Sequence, residues 1–247
     1  MTRKHTASIC AALFLSASAA LLLPFGRPLW QPLYTKLAGG RTVEQAVDRY
    51  APNAEARLRP RFHAVQVAYP PDELALVGLK EEKTLELWAR NRDCGQGWVR
   101  IHRYDVRAAS GVAGPKLREG DKQVPEGVYR VESLNPNSRY HLSMKLDYPN
   151  AFDRARAEED GRDKPGTNIF IHGKAASVGC LAMGDEAIEE LFVLVHKAGL
   201  DNVSVLLLPH DPADKPLTPS ESMPGWTAEL YQHLDAQARD LRDSATP

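Results

Sequence analysis

Cysteine is scarce in this sequence, with three residues, at positions 10, 94 and 180, among 247. Three thiols are too few for a disulfide scaffold, and they lack the paired spacing of a structural zinc site. A charge excess of either sign is also missing, because 31 Lys and Arg face 32 Asp and Glu. No sequence-wide positive field therefore attracts nucleic acid or anionic lipid.

Several signatures of cofactor chemistry are missing as well. Eight histidines occur, but no His-Glu-x-x-His pattern sets two of them on one helix face, which disfavours a zinc peptidase. The stretch Gly111-Val112-Ala113-Gly114 lacks the Gly-Lys-Ser/Thr ending of a phosphate-binding loop. No repeat with a period of roughly 20 to 50 residues is visible, so solenoids and propellers are unsupported. We therefore expect neither a metal nor a cofactor.

The N-terminus carries the longest apolar stretch. Arg3 and Lys4 precede 20 uncharged residues, 6–25, within which Ala17-Ser18-Ala19 offers a cleavage site. The same stretch is long enough to cross a hydrocarbon core of roughly 30 Å without cleavage. Residues 1–25 are therefore interpreted as a signal peptide or an N-terminal membrane anchor. In either case the rest of the chain lies outside the cytoplasm, as in a periplasmic or secreted protein.

The sequence as a whole has the composition of an ordinary globular protein, 43% hydrophobic and 26% charged. Residues 26–62 are rich in Pro and Gly and are interpreted as a linker or packing arm with one short helix, 42–50. From residue 63 to 210, short apolar runs recur between turn signals, a pattern typical of a β sandwich or barrel. The predicted strands are 64–69, 74–79, 84–90, 98–104, 127–131, 140–146, 168–172 and 203–208.

Two segments have the periodicity of a helix. Within 185–198, Ile188, Leu191, Phe192 and Val195 follow the i, i+3, i+4, i+7 spacing, and Gly199 follows the end. This pattern predicts an amphipathic helix packed on the sheet. A second helix is predicted at 227–242, inside a C-terminal extension that covers 211–247. The expected fold is mainly β with peripheral α.

The segment 168–185 carries the chemistry. Its apolar strand ends at His172, and a loop of small residues returns to Cys180 shortly before the helix. A thiol attacks carbonyls as the thiolate, so it needs a proton acceptor, and an imidazole with an ordinary pKa near about 6.5 can take and return that proton. The amides of Gly179 and Cys180 could bind an oxyanion, and Ser177 could hydrogen-bond the loop or the substrate. We expect acyl transfer through a thioester.

Two other interpretations of Cys180 stay open at this point. Free cysteines are often buried structural residues, and histidines at strand ends are often structural too. A disulfide between Cys94 and Cys180 is also permitted in an oxidising compartment.

The pattern His172-Gly173 followed by Ser177-Val178-Gly179-Cys180 resembles the signature of the L,D-transpeptidase catalytic (YkuD-like) family. The resemblance covers residues 63–210. It implies a β-rich fold with one helix after the cysteine, in which Cys180 is the nucleophile and His172 the base, oriented by a backbone carbonyl near Gly173. It further implies peptidoglycan stem peptides as substrates, in cell-wall biogenesis or the control of cell shape. Further stretches that resemble family segments are 74–88, 110–111, 114–116, 119–121, 124–129 and 148–150.

The sequence departs from most of the family on both sides of the cysteine. Val178 and Ala182 stand where most members have a histidine and an arginine, and the loop after His172 is short. The branch with this shorter motif includes an enzyme that hydrolyses the bond between a murein lipoprotein and peptidoglycan. Transfer, hydrolysis and a non-catalytic envelope-binding module therefore remain alternatives, with a cell-wall-linked lipoprotein as a further candidate partner.

Substrate contacts are predicted from residue type and position along the chain. Stem peptides carry free carboxylates of meso-diaminopimelate, which Lys116, Arg139 or Lys174 could pair with. Tyr140, His141 and Tyr148 cluster in a segment that could line the cleft. The alternatives are solvated surface charges for the first group and packing in the core or at the rim for the second.

Overall fold

An eight-stranded sheet organises the residues that the computed structural model describes, which are 39–92, 97–177 and 179–244. The strand order is β3-β2-β1-β8-β4-β5-β6-β7, and the sheet curls into a half-barrel. Neighbouring strands are antiparallel except in the pairs β1–β8 and β6–β7, which are parallel. The strands are β1 Glu73–Leu79, β2 Thr84–Arg90, β3 Val99–Asp105, β4 Gly127–Asn135, β5 Ser143–Leu146, β6 Phe170–His172, β7 Leu181–Ala182 and β8 Val203–Leu208.

Helices cover both faces of this sheet. They are α1 Val43–Ala64, α2 Ala151–Glu159, α3 Asp185–Ala198 and α4 Thr227–Asp243, and a short 3-10 turn spans Leu200–Asn202. Strand β1 is buried on both of its faces. Leu74 and Leu76 pack in the core on the side of α1 and α3, whereas Ala75 and Val77 pack in a second core with α4. Because side chains alternate between the two faces of a strand, a strand covered on both faces is apolar at nearly every position.

The predicted fold class, mainly β with peripheral α and one helix after Cys180, is confirmed. The hairpin of 74–79 and 84–90 forms with Leu79 opposite Thr84. The helix predicted at 185–198 has those bounds, and its apolar positions Ile188, Leu191, Phe192 and Val195 are all buried. Helix α4 and strand β8 also lie where the sequence predicts them.

The prediction around residue 64 was wrong in two respects. The helix expected over 42–50 continues to Ala64 although Pro52 and Pro60 lie inside it. Proline costs a helix one hydrogen bond, but the packing of Leu58 and Phe62 in the core outweighs that loss. The strand expected over 64–69 does not form, because the helix occupies its start and Gln66 turns the chain at φ 58°.

The described residues from Thr42 onward belong to one compact unit. A second unit, Met1–Arg41, includes the predicted signal peptide or anchor, which lies outside the described residues together with positions 26–38 of the predicted linker. In the described part of the chain, no helix has both the length and the apolar character needed to cross a bilayer.

Candidate active site

The short strand β6 sets His172 at the end of the sheet. In the ladders, His172 lies opposite Ser143 of β5 and beside Ala182 of β7, and its side chain is buried. Its Nδ1 lies 2.7 Å from the carbonyl oxygen of Gly173. A carbonyl only accepts hydrogen bonds, so Nδ1 carries the proton of the neutral ring and Nε2 is the nitrogen left to accept one.

Gly173 is required at its position by close backbone contacts. Its N–H donates to Leu142 O at 3.1 Å. A Cβ at this residue would lie 2.6 Å from the carbonyl oxygen of Tyr140, too close for any side chain. The glycine therefore lets the strand end pack against the neighbouring chain and keeps its carbonyl on the imidazole of His172.

Burial sets the charge state of His172. Desolvation lowers the pKa of the imidazole below its ordinary 6.5, and the hydrogen bond to Gly173 opposes this only in part. The ring is therefore neutral at neutral pH, which suits a proton acceptor better than a fixed cation.

Cys180 lies on the loop between β6 and β7 and carries a free, partly buried thiol. Its Sγ donates a long hydrogen bond to Asn168 O, at 3.8 Å. Burial raises the pKa of the thiol, while a hydrogen bond from the Phe170 backbone and the charge of Lys116 oppose the rise. The resting pair is thus a neutral thiol and a neutral imidazole. Cys94, the predicted alternative disulfide partner, lies outside the described residues.

His172 and Cys180 line the same cavity, of about 320 Å³, which we call the thiol cleft. The ring of Tyr140 packs against the imidazole, with 4.5 Å between ring centroids and 34° between planes, and is 41% exposed. The sheet end thus brings together the predicted nucleophile, the predicted base and an aromatic rim. The lining residues are Asn135, Asn137, Ser138, Arg139, Tyr140, Ser143, Phe170, His172, Ser177 and Cys180.

The amides predicted to bind an oxyanion are both engaged. The N–H of Gly179 donates to Ser110 Oγ at 2.7 Å, and the N–H of Cys180 donates to Ser177 Oγ at 3.1 Å. Ser177 in turn donates to Cys180 O at 2.6 Å, so its hydroxyl is part of the loop structure. The prediction of two free donors therefore needs correction, because two serine hydroxyls already satisfy them. Of these two serines, Ser177 lines the thiol cleft and Ser110 does not. Rotation of the Ser177 side chain would therefore free the Cys180 amide to bind an oxyanion in the cleft.

Two of the predicted aromatic contacts lie elsewhere. His141 adopts φ 77°, and its ring turns away from the thiol cleft to contact Tyr50 and to place Nε2 2.8 Å from Glu189 Oε1. Tyr148 is 3% exposed and donates its hydroxyl proton to Pro165 O at 2.8 Å. The assignment of both side chains to the cleft is wrong, whereas Tyr140 does line it.

Of the three cations predicted to bind substrate carboxylates, one lines the thiol cleft and two do not. Lys116 is buried and its Nζ donates to Asp121 Oδ1 at 2.5 Å, so it cannot reach a substrate carboxylate. Lys174 is exposed but is not among the lining residues. Arg139 is exposed and lines the thiol cleft, and is the cation that remains available there among the described residues.

Ser110 and Asn168 both contact the nucleophile loop, although residue type and spacing assign neither of them a role in the site. Ser110 lies 69 residues before Gly179, a separation that no local spacing can reveal. Its only signal was the resemblance of the Ser110-Gly111 pair to family sequences. In the described ranges, no group of three or more His, Cys, Asp or Glu residues could hold a metal ion.

Comparisons with known proteins identify the family of this chain. The family model of the L,D-transpeptidase catalytic domain (YkuD) matches residues 72–205. Over 135 residues the chain is 38% identical to the Escherichia coli K12 protein named "Putative L,D-transpeptidase YafK", a match that covers 53% of this chain and 51% of that protein. The chain therefore spans about half the length of the curated relatives it matches.

Two solved structures are similar to part of the chain at low sequence identity. The helical cell shape determining protein Pgp2 from Campylobacter jejuni gives a TM-score of 0.46 at 20% identity, over 56% of this chain and 48% of that chain. Bd1075 from Bdellovibrio bacteriovorus gives a TM-score of 0.41 at 19% identity, over 69% of this chain and 56% of that chain. Because the family match extends over more than half of the chain and includes His172 and Cys180, the chain belongs to the L,D-transpeptidase catalytic domain (YkuD) family.

Proposed function

We propose that this protein is a cysteine-dependent acyltransferase that acts on peptidoglycan stem peptides outside the cytoplasm. The observation that carries the proposal is the thiol cleft, which is lined by both Cys180 and His172. The Gly173 carbonyl holds the imidazole in the tautomer whose Nε2 can accept a proton. Family membership supplies the substrate class, and the pattern of residues 1–25 supplies the location.

The reaction follows from the two neutral groups. Nε2 of His172 takes the proton from Sγ of Cys180 as the sulfur attacks the peptide carbonyl that follows an L-centre. The tetrahedral intermediate then collapses, the C–N bond breaks, and the imidazolium returns its proton to the leaving D-amino acid. A thioester on Cys180 remains. An incoming amine or water loses a proton to His172 as it attacks, and the thiolate leaves and is protonated again.

Arg139 and Tyr140 are proposed to hold the donor stem. Both lie on the rim of the thiol cleft and are exposed to solvent. A guanidinium can bind a carboxylate of meso-diaminopimelate through two parallel hydrogen bonds, and an aromatic face can pack against the apolar part of a stem. The rim therefore offers one charged and one apolar contact beside the sulfur.

Hydrolysis through the same thioester is the second candidate, and the surroundings of Ala182 favour it. Ala182 stands where most of the family has an arginine, is fully buried, and pairs with Ala108 in an antiparallel bridge. This position offers neither charge nor donor to an amine acceptor, whereas water needs no such recognition. The bond between a cell-wall-linked lipoprotein and peptidoglycan would be one substrate of this type.

Purified muropeptides, with and without an attached lipoprotein fragment, provide the test. Products of the full chain would be read by mass spectrometry, which separates crosslinking, trimming and bond hydrolysis. We expect a thioester on the peptide that contains Cys180, and its loss together with all product in Cys180→Ala. Cys94→Ala is the matched thiol control and should retain activity. Absence of both thioester and product would leave a non-catalytic envelope-binding module.

The proposed location has a separate test. Residues 1–25 would be fused to a phosphatase that is active only after export, and Arg3→Glu/Lys4→Glu would serve as the control. We expect export of the unmodified fusion and a lower yield when the basic end is reversed. Membrane fractionation would then separate a cleaved signal from a retained anchor, and activity in the cytoplasm alone would contradict the proposal.

A further inference from the structure

Residues 107–126, which we call the brace, run alongside the loop that carries Cys180. The N–H of Arg107 donates to Ala182 O at 2.8 Å, and the N–H of Ala182 donates to Ala108 O at 2.9 Å. The N–H of Ala108 also donates to Ala182 O, at 3.3 Å, and completes the antiparallel bridge between Ala108 and Ala182. The brace therefore fixes the backbone two residues after the nucleophile.

Ser110 of the brace fixes the backbone on the other side of Cys180. Its Oγ accepts the N–H of Gly179 at 2.7 Å and donates to Lys122 O at 2.7 Å. Gly179 has φ 81°, a left-handed backbone conformation that would strain any residue with a Cβ. One hydroxyl thus joins the residue before the nucleophile to the far end of the brace.

A buried carboxylate anchors the brace. Glu126 is 1% exposed and accepts hydrogen bonds from the N–H of Gly114 at 2.7 Å and from Lys80 Nζ at 3.0 Å. Lys80 Nζ also donates to Gly114 O and Val124 O, both at 2.9 Å. Two brace residues that are ten positions apart are therefore held by one buried ion pair, which is costly to disturb.

The C-terminal helix completes this anchor. The hydroxyl of Tyr231 on α4 donates to Glu126 Oε2 at 2.9 Å and is buried. Met223, which precedes α4, packs close to Gly114: a Cβ built there would lie 3.2 Å from its Cε. Both residues lie outside the matched range 72–205, so this contact comes from a part of the chain that the family model does not cover.

We propose that Ser110 is a positioning residue for the Cys180 nucleophile, and that Tyr231 of α4 supports it through Glu126 and the brace. The inference rests on the proposed function, because it assumes that Cys180 attacks the substrate. Its physical basis is that displacement of the Gly179–Cys180 peptide moves Sγ away from the imidazole, and errors of about 1 Å cost rate on the order of a hundredfold.

The test compares Ser110→Ala and Ser110→Thr with wild type in the full chain. Ser204→Ala is the matched control, because it removes a hydroxyl that donates to Leu74 O in another part of the sheet. We expect Ser110→Ala to lower kcat for muropeptides on the order of tenfold to a hundredfold with KM unchanged. Ser110→Thr keeps the hydroxyl and should recover most of the rate. A purely structural role would lower the melting temperature without changing kcat of the folded fraction.

A second readout does not depend on turnover. Iodoacetamide labelling of the peptide that contains Cys180, followed by mass spectrometry over a range of pH, reports the titration of this thiol. Burial raises its pKa above 9.0, so a loosened loop in Ser110→Ala should shift the labelling midpoint down toward that ordinary value. Ser110→Thr and Ser204→Ala should keep the wild-type midpoint.

The contribution of Tyr231 is tested by Tyr231→Phe, which removes only the hydroxyl. The matched control is Tyr69→Phe, because the Tyr69 hydroxyl is buried without a hydrogen-bond partner among the described residues. Tyr231→Phe should lower kcat and the labelling midpoint in the same direction as Ser110→Ala, by smaller amounts. In the double variant we expect no loss beyond that of Ser110→Ala alone, since the two residues act in series. Independent, additive losses would overturn the support assigned to Tyr231.

These readouts separate the two proposals. If wild type turns over muropeptides but Ser110→Ala keeps both kcat and the labelling midpoint, the positioning role is overturned and the function stands. If wild type has no turnover but Ser110→Ala shifts the midpoint, the function fails and the positioning of the thiol stands. Should Ser110→Ala not fold, Tyr231→Phe decides: an unchanged kcat and midpoint would then overturn the proposal.

Discussion

His172 combines burial with a fixed tautomer, and both should appear in the pH dependence of the reaction. The imidazole must be neutral to take the thiol proton, and burial lowers its pKa below 6.5. Activity is therefore lost only when the pH falls through this lowered value, and we expect the acid limb of kcat/KM to have its midpoint below 6.5. A pH series with muropeptide substrate measures it, and a midpoint above 6.5 would contradict the assignment.

Substitution of the base is the companion test at this scale. His172→Gln should lower kcat by about a hundredfold to ten-thousandfold, the usual contribution of a general base. The matched variant is His141→Gln, because His141 pairs with Glu189 outside the thiol cleft and should keep the rate. Equal rates in the two variants would contradict the assignment of His172.

Arg139 should act on binding rather than on chemistry. An exposed ion pair contributes up to about 1 kcal/mol, so Arg139→Gln should raise KM by about twofold to fivefold and leave kcat unchanged. The effect should vanish with a stem whose diaminopimelate carboxylate is amidated. Arg239→Gln is the control, because Arg239 is exposed on α4 and pairs with Asp235. The same KM for both stems in Arg139→Gln would refute the carboxylate contact.

Local spacing was sufficient for some residues of the candidate site and not for others. His172 and Cys180 are eight positions apart, at the end of a strand and on the loop that follows it, so the motif itself brings them near each other. Tyr140 and His141 are adjacent, yet only the first lines the thiol cleft, whereas the second has a positive φ and contacts Tyr50 and Glu189, which the sequence pattern does not reveal. The contact of Ser110 with Gly179 depends on the sheet topology, which residue types do not encode locally.

At the scale of elements, a buried carboxylate joins α1 to α3. Glu190 is 1% exposed and accepts hydrogen bonds from Arg57, Arg61 and the Tyr104 hydroxyl. Glu190→Ala removes the shared acceptor and leaves the buried Tyr104 hydroxyl and the partly buried Arg61 guanidinium without it, which should lower the free energy of unfolding by about 3–5 kcal/mol. Glu186→Ala is the control, since that side chain is 71% exposed and its pair with Arg57 contributes little. Urea denaturation measures both, and equal losses would contradict this account.

The packing of α4 on the outer face of the sheet can be tested in the same way. Leu234 is fully buried in the second core, whereas Gln237 is exposed on the same helix. Leu234→Ala should lower the free energy of unfolding by about 2–5 kcal/mol, and Gln237→Ala should change it little. If denaturation gave equal values for the two variants, α4 would not be packed as described.

Periodicity predicted the elements that bury a whole face and failed for the others. Helix α3 buries a continuous apolar stripe and was predicted with its bounds. Helix α2 was not predicted, because it buries only Ala157 and has no stripe. Its one signal is the reciprocal cap of Asn150 and Asp153 at the start, which a search for apolar patterns does not detect. Strand β7 is two residues long, too short for any period.

For the whole molecule, charged groups set the pH dependence of stability in opposite directions. Lys197 and Arg59 hold the pKa of Glu55 below its usual range. The ionised Glu55 therefore stabilises the fold when the pH is above that usual range, and this stabilisation is lost as the pH falls through the lowered pKa. Burial raises the pKa of Asp153 to about 6, so its ionisation lowers stability as the pH rises from about 4 to about 6. The cost is fully present above about pH 6.

Asp153→Asn should therefore become more stable relative to wild type as the pH rises through this window. The difference in the free energy of unfolding should reach at most about 3 kcal/mol, because one pKa unit corresponds to about 1.4 kcal/mol and Asp153 is partly exposed. Asp235→Asn, which replaces a partly exposed carboxylate on α4, is the control. Urea denaturation at a series of pH values measures the difference, and parallel curves would contradict the burial of a charged Asp153.

The double burial of the sheet has a practical consequence for handling the protein. Helix α1 ends before residue 72 and helix α4 begins after residue 205, yet each covers one apolar face of the strands between them. A fragment trimmed to the matched range, 72–205, would lose α1 and α4 and would expose apolar side chains on both faces of the sheet to water. We expect such a fragment to aggregate during expression. Crystallisation trials, inhibitor screens and domain swaps therefore need both flanks, from the start of α1 at Val43 to the end of α4 at Asp243.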